Sequence, residues 1–529
     1  MASEMRNRVY IAGILISSLI PIGCRSTQAT TKHSYAFTKF ERPTPLQAEP
    51  VEKPNVILAS ASTVVAVPEI DGLTPAITEQ SSQQSIDLTT ALMMTTGQNP
   101  QVAFARARIE EALAQVDRAN ALKLPSLRAG VNYNKHEGRI QDVAGTVIET
   151  SRGSFYSGLG ANAVGAGSPA IPGIVSQFHF ADAIFQPKIA QRTACARQSG
   201  ALATMNDQLL ATALAYTELL RAEQELSVAG QIVDRAEQLQ KTTSEFEKAG
   251  EGLASDHDRA RTELALRRNE QARAEEASAV ASARLAELIR WNSDQRLLPS
   301  EPQLVPIELV AEGNTPQGLI ALALSNRPEL AESRNLVGEA VEILKREQHA
   351  PLVPSVLLAA SYGGLGGGLG GNLSNYGDRL DADAVAFWEM RQLGFGERAA
   401  QREAKSRITQ ARMRELATLD RIAREVNETQ AQILARRKQI EISKYAVQAA
   451  NDSFEKNWER IRNGQGLPIE ALQSIQALAT AQREYIRVVS DYNTAQFTLQ
   501  RSLGWPISDT LSLEDKVHGT ATEPSIPHW

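Results

Sequence analysis

The chain has 529 residues, 42% of them hydrophobic but only 5% aromatic, and a formal net charge of −6. Such a length has no difficulty in burying a core, and an Ala-, Glu-, Gln-, Arg- and Leu-rich middle favours long helices over compact mixed domains. Both signs of charge are interleaved without a basic block, which argues against nucleic acid as a partner.

At the N-terminus, Arg6 and Arg8 precede an apolar run over 9–22. It is too short to span a bilayer as a mature helix and suits the hydrophobic part of a signal peptide. Gly23-Cys24 closes the run like a lipobox, although Pro21 stands where such boxes usually carry Leu. Residues 1–24 therefore read as a signal peptide with Cys24 as a lipid-attachment candidate, and an acyl group there would tether the mature chain to the membrane. Cys195, the other cysteine, reads as a small apolar helix residue rather than half of a disulfide. Residues 25–84, rich in Ser, Thr, Pro, Ala and Gln, read as a flexible arm.

From there the sequence repeats itself. Ala91-Leu92 and Asn99-Pro100 return as Ala321-Leu322 and Arg327-Pro328, and Pro125-Ser126 returns as Pro354-Ser355. Later positions match at an offset of 214: Gly250 with Gly464, Leu253 with Leu467, Glu270 with Glu484, Trp291 with Trp505. The expected layout is a first repeat over 85–291, a linker over 292–314, a second repeat over 315–505 and a tail over 506–529. Each repeat reads as a helix, two strands and two long helices.

Val102, Ala105, Ile109, Leu113, Val116, Ala119 and Leu122 form one apolar stripe at three- and four-residue steps. Residues 188–249 contain no proline, enough for roughly 90 Å of helix. Leu219, Ala222, Leu226, Ala229, Val233 and Ala236 mark its seam. In the second repeat Leu419, Val426, Ile433, Ile440, Val447, Phe454 and Ile461 recur every seven residues, a coiled-coil period. Such narrow seams suit a thin wall with water beside it.

Strands are expected at 127–133, at 154–162 or 173–180, at 356–362 and at 382–388, with residues 363–371 read as a glycine-rich exposed loop. Four strands cannot close a membrane sheet alone. Three chains would supply about twelve.

No metal or catalytic constellation emerges. Asp256-His257-Asp258 is the one dense candidate, but consecutive helical side chains spread over different faces, and acids at a helix start are favoured by its dipole. A ring of carboxylates from Asp256 and Asp258 at a channel end is the functional alternative. Gly366, Gly368 and Gly371 satisfy G-x-G-x-x-G without a helix to follow. Glu263 and Arg267 read as a solvent-facing helical pair.

Asn326-Arg327-Pro328-Glu329-Leu330 resembles the R-P-[DE]-L signature of the TolC-like outer-membrane efflux proteins, and Asn99-Pro100 resembles a fainter copy. The duplication, the Pro-Ser strand entries and the Gly-x-x-[Ser/Pro] turns are similar too, over about residues 85–505. The resemblance implies a mainly α chain with a membrane β-barrel portion: a homotrimer with a twelve-stranded barrel above a barrel of long antiparallel coiled-coil helices. It implies passive conduction of cargo from periplasm to exterior, with a periplasmic adaptor, an inner-membrane pump and outer-membrane lipid as partners. No enzyme activity and no cofactor are implied. Gly250-Glu251-Gly252-Leu253 and Gly464-Gln465-Gly466-Leu467 would be the lower turns, with Leu253 and Leu467 contacting the adaptor or packing their own hairpins. The competing expectation is a periplasmic coiled-coil or adaptor-like protein that never spans the membrane. The cargo is not legible.

Overall fold

The computed structural model describes residues 83–128, 130–158, 174–292, 294–310, 313, 315–369 and 376–506. The signal segment with Cys24, most of the arm and nearly all of the tail lie outside the described residues.

Among the described residues, eight α-helices carry the fold. α1 (Leu88–Gln98), α2 (Pro100–Ala121), α3 (Phe180–Lys248) and α4 (Ala254–Ile289) are 11, 22, 69 and 36 residues long. α5 (Pro316–Asn326), α6 (Pro328–His349), α7 (Phe395–Arg462) and α8 (Pro468–Ser502) have 11, 22, 68 and 35. Proline opens α2, α5, α6 and α8, where its missing N–H would have had no intrahelical partner. Asn99 caps α2 by accepting from the N–H of Gln101 at 2.8 Å, and Thr315 caps α5 through Gly318 at 3.2 Å. α3 starts eight residues before the expected 188, because Pro187 is accommodated inside it, buried. One backbone bond is forfeited there.

Both long hairpins turn on the same device. Gly250 (φ 76°) and Gly464 (φ 65°) are left-handed. Phe246 O accepts from Glu251 and Gly252 at 2.9 and 3.0 Å, and Arg460 O accepts from Gln465 and Gly466 at 2.8 and 3.0 Å. These bonds satisfy carbonyls that a helix end leaves open. The second glycine is required by space: a Cβ on Gly252 would lie 2.9 Å from Phe246 Cβ, and one on Gly466 2.9 Å from Ile461 N. Gly250→Ala and Gly464→Ala are each expected to destabilise by about 1–2 kcal/mol through the left-handed backbone. Gly252→Ala should cost at least as much through overlap. Urea midpoints of the detergent-extracted protein check both.

α3 is flanked by α2 and α4 on one side and by α6 and α8 on the other, whereas α7 packs on α5, α6 and α8. Val426, Ile433, Ile440, Phe454 and Ile461 of the seven-residue series are buried as expected. Leu219, Val233 and Ala236 are buried in α3 as well. The α2 stripe is only half sealed: Val102, Ala105 and Ala119 are buried, while Leu113 is exposed. Cys195 is buried in α3 and disulfide-bonded, which corrects the reading of it as an unpaired residue; its partner lies outside the described residues.

β1 (Gln83–Ile86) spans the end of the expected arm and the start of the first repeat, and it pairs in parallel with β6 (Arg296–Pro299) in the stretch read as a linker. Leu297 of β6 is fully buried beside Leu92, Leu209 and Leu285, so burial recruits both segments into the core.

The remaining strands form one antiparallel sheet of four rows. β2 (Ser126–Arg128) and β3 (Gly130–Gln141) make the first row, β4 (Val147–Gly158) and β5 (Ile174–His179) the second, β7 (Ser355–Leu369) the third and β8 (Gly377–Phe387) the fourth. Both alternatives for the second strand are thus used, on one edge of β7, with 159–173 between them outside the described residues. The glycine-rich stretch is not the expected loop, since β7 runs through it to Leu369. Neighbouring side chains fill the gaps: a Cβ on Gly366 would lie 2.6 Å from the Tyr376 ring, and one on Gly367 2.9 Å from Arg152 Cγ. Among the described residues no strand lies beside the outer edge of either terminal row.

Candidate functional site

The register sorts the sheet's side chains, because alternate residues of a strand face opposite ways and paired residues share a face. One face carries Leu127, Val131, Tyr133, Phe155, Leu358, Tyr362, Leu380, Ala382 and Ala384. These large apolar side chains are exposed, Leu380 at 71% and Leu127 at 70%. Soluble monomers rarely leave a contiguous apolar surface uncovered. The other face carries Asn134, His136, Arg152, Ser154, Ser361, Arg379, Asp381 and Asp383, with Leu357, Leu365 and Val385 as its apolar members.

The apolar face is bounded at both ends. Beyond Tyr133 it becomes Lys135, Glu137 and Arg139, the first two ion-paired at 2.6 Å. Tyr133, Phe155, Tyr362 and Tyr376 cluster towards that end, and Phe178, Phe180 and Trp388 mark the other. Val356 to Gly364 between them is nine residues of β7, the length of a tilted membrane strand. Aromatic side chains at both limits of an apolar band are typical of membrane barrels. No helix among the described residues is long and apolar enough to cross a membrane.

The R-P-E-L signature acquires a physical role. Arg327, at 2% exposure, donates to Glu425 of α7 at 2.5 Å and approaches Glu329 at 3.6 Å. Arg501 of α8 donates to Glu329 at 2.5 Å and to Asp207 of α3 at 2.7 Å. Two guanidinium groups and three carboxylates thereby join α3, α6, α7 and α8. Burial pushes the Asp207 carboxyl up, opposed by the charges of Arg327 and Arg421. In the first half Asn99 takes the equivalent place, donating to Leu288 O at 2.9 Å.

A second charged chain ties the strand ends to the helices. Asp182 accepts from Arg346 at 2.8 Å, Arg346 meets Glu347 at 2.7 Å, Glu347 accepts from Arg391 at 2.8 Å, and Glu397 accepts from the backbone N–H of Arg391 at 2.6 Å. That last bond holds the Glu397 carboxyl below its usual range. It also braces a turn in which Gln392 and Leu393 have positive φ, a conformation that persists only when its surroundings enforce it.

At the hairpin tips Leu253 and Leu467 are 68% and 60% exposed, so neither packs into its own hairpin. Each is the residue before a helix, with extended backbone. Asp256 pairs with Arg259 at 3.6 Å and Asp258 with Arg261 at 3.4 Å, within α4. His257 turns away towards Glu247 at 2.6 Å. No group able to hold a metal occurs among the described residues. Glu263 and Arg267, expected on a wet face, are instead buried at 6% and 12% side-chain exposure. Glu263 also accepts from Gln476 of α8 at 3.0 Å, and Glu270 accepts from Arg483 at 3.1 Å. Their spacing within α4 was legible; the opposing hairpin was not.

Paired long helical hairpins and a four-row antiparallel sheet with one apolar and one polar face define the architecture. No protein-family model and no curated protein matches the chain. Solved structures do. The CmeC outer membrane channel of Campylobacter jejuni is 14% identical, with 86% of this chain and 97% of that chain covered at a TM-score of 0.65. VceC of Vibrio cholerae, an outer membrane protein, is 16% identical over 79% and 96% at 0.62. The open-state MtrE outer membrane channel of Neisseria gonorrhoeae is 16% identical over 84% and 99% at 0.60. The chain has the fold of the TolC-like outer-membrane channels.

Proposed function

We propose that this chain is one of three subunits of an outer-membrane duct, which conducts cargo passively from the periplasm and draws its energy from a pump in the inner membrane. The observation that carries the reading is the two-faced sheet with open outer edges. In lipid those edges would leave backbone groups without partners. Closure with two further copies removes them and gives twelve rows, within the size range of membrane barrels. The apolar face then meets lipid and the face with His136, Arg152, Asp381 and Asp383 lines water. A periplasmic scaffold that never meets lipid would leave the apolar face without a use. Matched helix lengths in the two halves support an internal duplication, with the long helices walling the duct below the membrane.

Purified protein added to planar lipid bilayers tests this. Discrete, long-lived conductance steps are the expected result; a protein that binds bilayers without conducting contradicts it.

The exposure of Leu253 and Leu467 supports an adaptor contact at both tips. Leu253→Asp combined with Leu467→Asp is expected to lower co-purification with the adaptor at least about tenfold, since a charge in an apolar contact is costly. The same variant should retain normal conductance. A lipid anchor at Cys24 competes with the disulfide of Cys195, because the chain has only these two cysteines and one sulfur cannot serve both. An acyl mass resistant to reductant on the N-terminal peptide supports the anchor, and a reducible link between the Cys24 and Cys195 peptides contradicts it.

A further inference from the structure

The helical layer has one unmatched flank. α3 has neighbours on both sides, but α7, almost the same length, has them on one side only and buries roughly half as many side chains. At the other edge of the layer, α2 shows Ala103, Ala107, Glu110, Ala114, Asp117 and Ala121 at steps of four and three, all exposed. The four alanines let another helix approach closely and the two acids between them offer it charge, but by itself the stripe does not say which helix.

The two halves of the chain supply the answer. Adding 214 maps α3 onto α7 and α4 onto α8, as Gly250 maps onto Gly464 and Trp291 onto Trp505; adding 228 maps Pro100, and with it α2, onto Pro328 and α6. The contact seen between the halves, α3 against α6 and α8, is therefore a template for α7 against α2 and α4. In the observed contact Asp207 of α3 accepts from Arg501 of α8 at 2.7 Å. The corresponding residues are Arg421 on α7 and Glu287 on α4. The pair returns with its charges exchanged. Both residues are exposed and neither is in an ion pair among the described residues, although the Arg421 charge acts on Asp207. They lie on helices that share little packing within the chain, so the correspondence places their meeting between two chains.

Shape exchanges in the same register. In the observed contact Arg192 of α3 lies against Gly338 of α6, 3.3 Å from where its Cβ would be. The corresponding residues are Ser406 and Glu110, small where the first was large and large where it was small. Gly200 of α3 lies against Glu332 of α6, and the corresponding pair is Arg414 with Phe104, which is 61% exposed. A guanidinium over an aromatic ring is a favourable contact.

We propose that the open flank of α7 docks on the α2 and α4 flank of a second copy of this chain, with Arg421 paired to Glu287, Ser406 facing Glu110 and Arg414 over Phe104 of that copy. The proposal rests on the trimeric reading above and on the two-fold repeat. It adds the register and the residues that set it. The exchanged charge pair also separates the two kinds of junction: Arg421 attracts Glu287 but would face Arg501 with a like charge, which disfavours pairing the wrong halves.

The test uses the full chain in detergent. Arg421→Glu and Glu287→Arg are expected each to lower the temperature at which the SDS-resistant oligomer dissociates, and the double variant is expected to restore most of the loss. Two tagged copies, one with Arg421→Cys and one with Glu287→Cys, should form a reducible cross-link between chains under mild oxidation. The background for both is a Cys195→Ser chain that still assembles. This measurement decides the matter even where a reversal impairs folding. A trimer that shows no cross-link and no rescue overturns the register while leaving the duct intact. A protein that is not trimeric fails earlier, on mass.

Discussion

Replacing Arg327 by alanine is expected to cost the protein about 3–5 kcal/mol, the range for breaking a buried ion pair from one side. Its guanidinium is almost fully buried between Glu425 and Glu329. Without it, those carboxylates and Asp207 would all pair with Arg501, with the Arg421 charge acting on Asp207. Three carboxylates would then crowd one paired guanidinium where α3, α6, α7 and α8 meet. Arg424→Ala is the control, since its pair with Glu428 is exposed on both sides and should be worth less than about 1 kcal/mol. Urea midpoints of the extracted protein read the difference. Equal midpoints for the two variants would show that the cluster is not what holds these helices together.

The second large effect separates neighbouring residues of β8. Ala382 and Asp383 are adjacent, and the register places Ala382 on the apolar face opposite Ala360 and Asp383 on the polar face opposite Ala359. Ala360 lies midway along the apolar stretch of β7. Ala382→Arg is therefore expected to cost about 2–4 kcal/mol, the penalty for arginine near the midplane on the lipid side. Asp383→Arg should leave folding and membrane insertion almost unchanged and reduce any preference for cations in conductance. The pair of variants controls for local backbone and strand position at once. The recovery of heat-modifiable protein from membranes, with reversal potentials in a salt gradient, measures both. If the two variants behave alike, the sheet does not have one wet and one lipid face.

Legibility in the sequence followed the range of the interactions. The seven-residue series from Leu419 to Ile461 was readable because a helix repeats its buried face locally. The two Gly-x-Gly-Leu turns were readable because backbone geometry demands those glycines. β7 was misread beyond Tyr362: glycines carry no alternating pattern, and the side chains that replace the missing ones, from Tyr376 and Arg152, come from other segments. Arg327 was noticed for its motif, but its partners lie about a hundred residues or more away, in Glu425, and beyond Glu329 in Arg501. Leu113 was assigned to a core that the single chain does not complete. The second copy proposed against α2 would cover it together with Phe104, whose ring carries Arg108 at 5.9 Å within the chain.

The central claim is that three chains close one sheet in the outer membrane. The most direct measurement is the mass of the full-length protein extracted from outer membranes in mild detergent, corrected for bound detergent. Three chain masses are expected, each close to 57.5 kDa before any processing. A monomer or dimer, or recovery in the soluble periplasmic fraction, would contradict it.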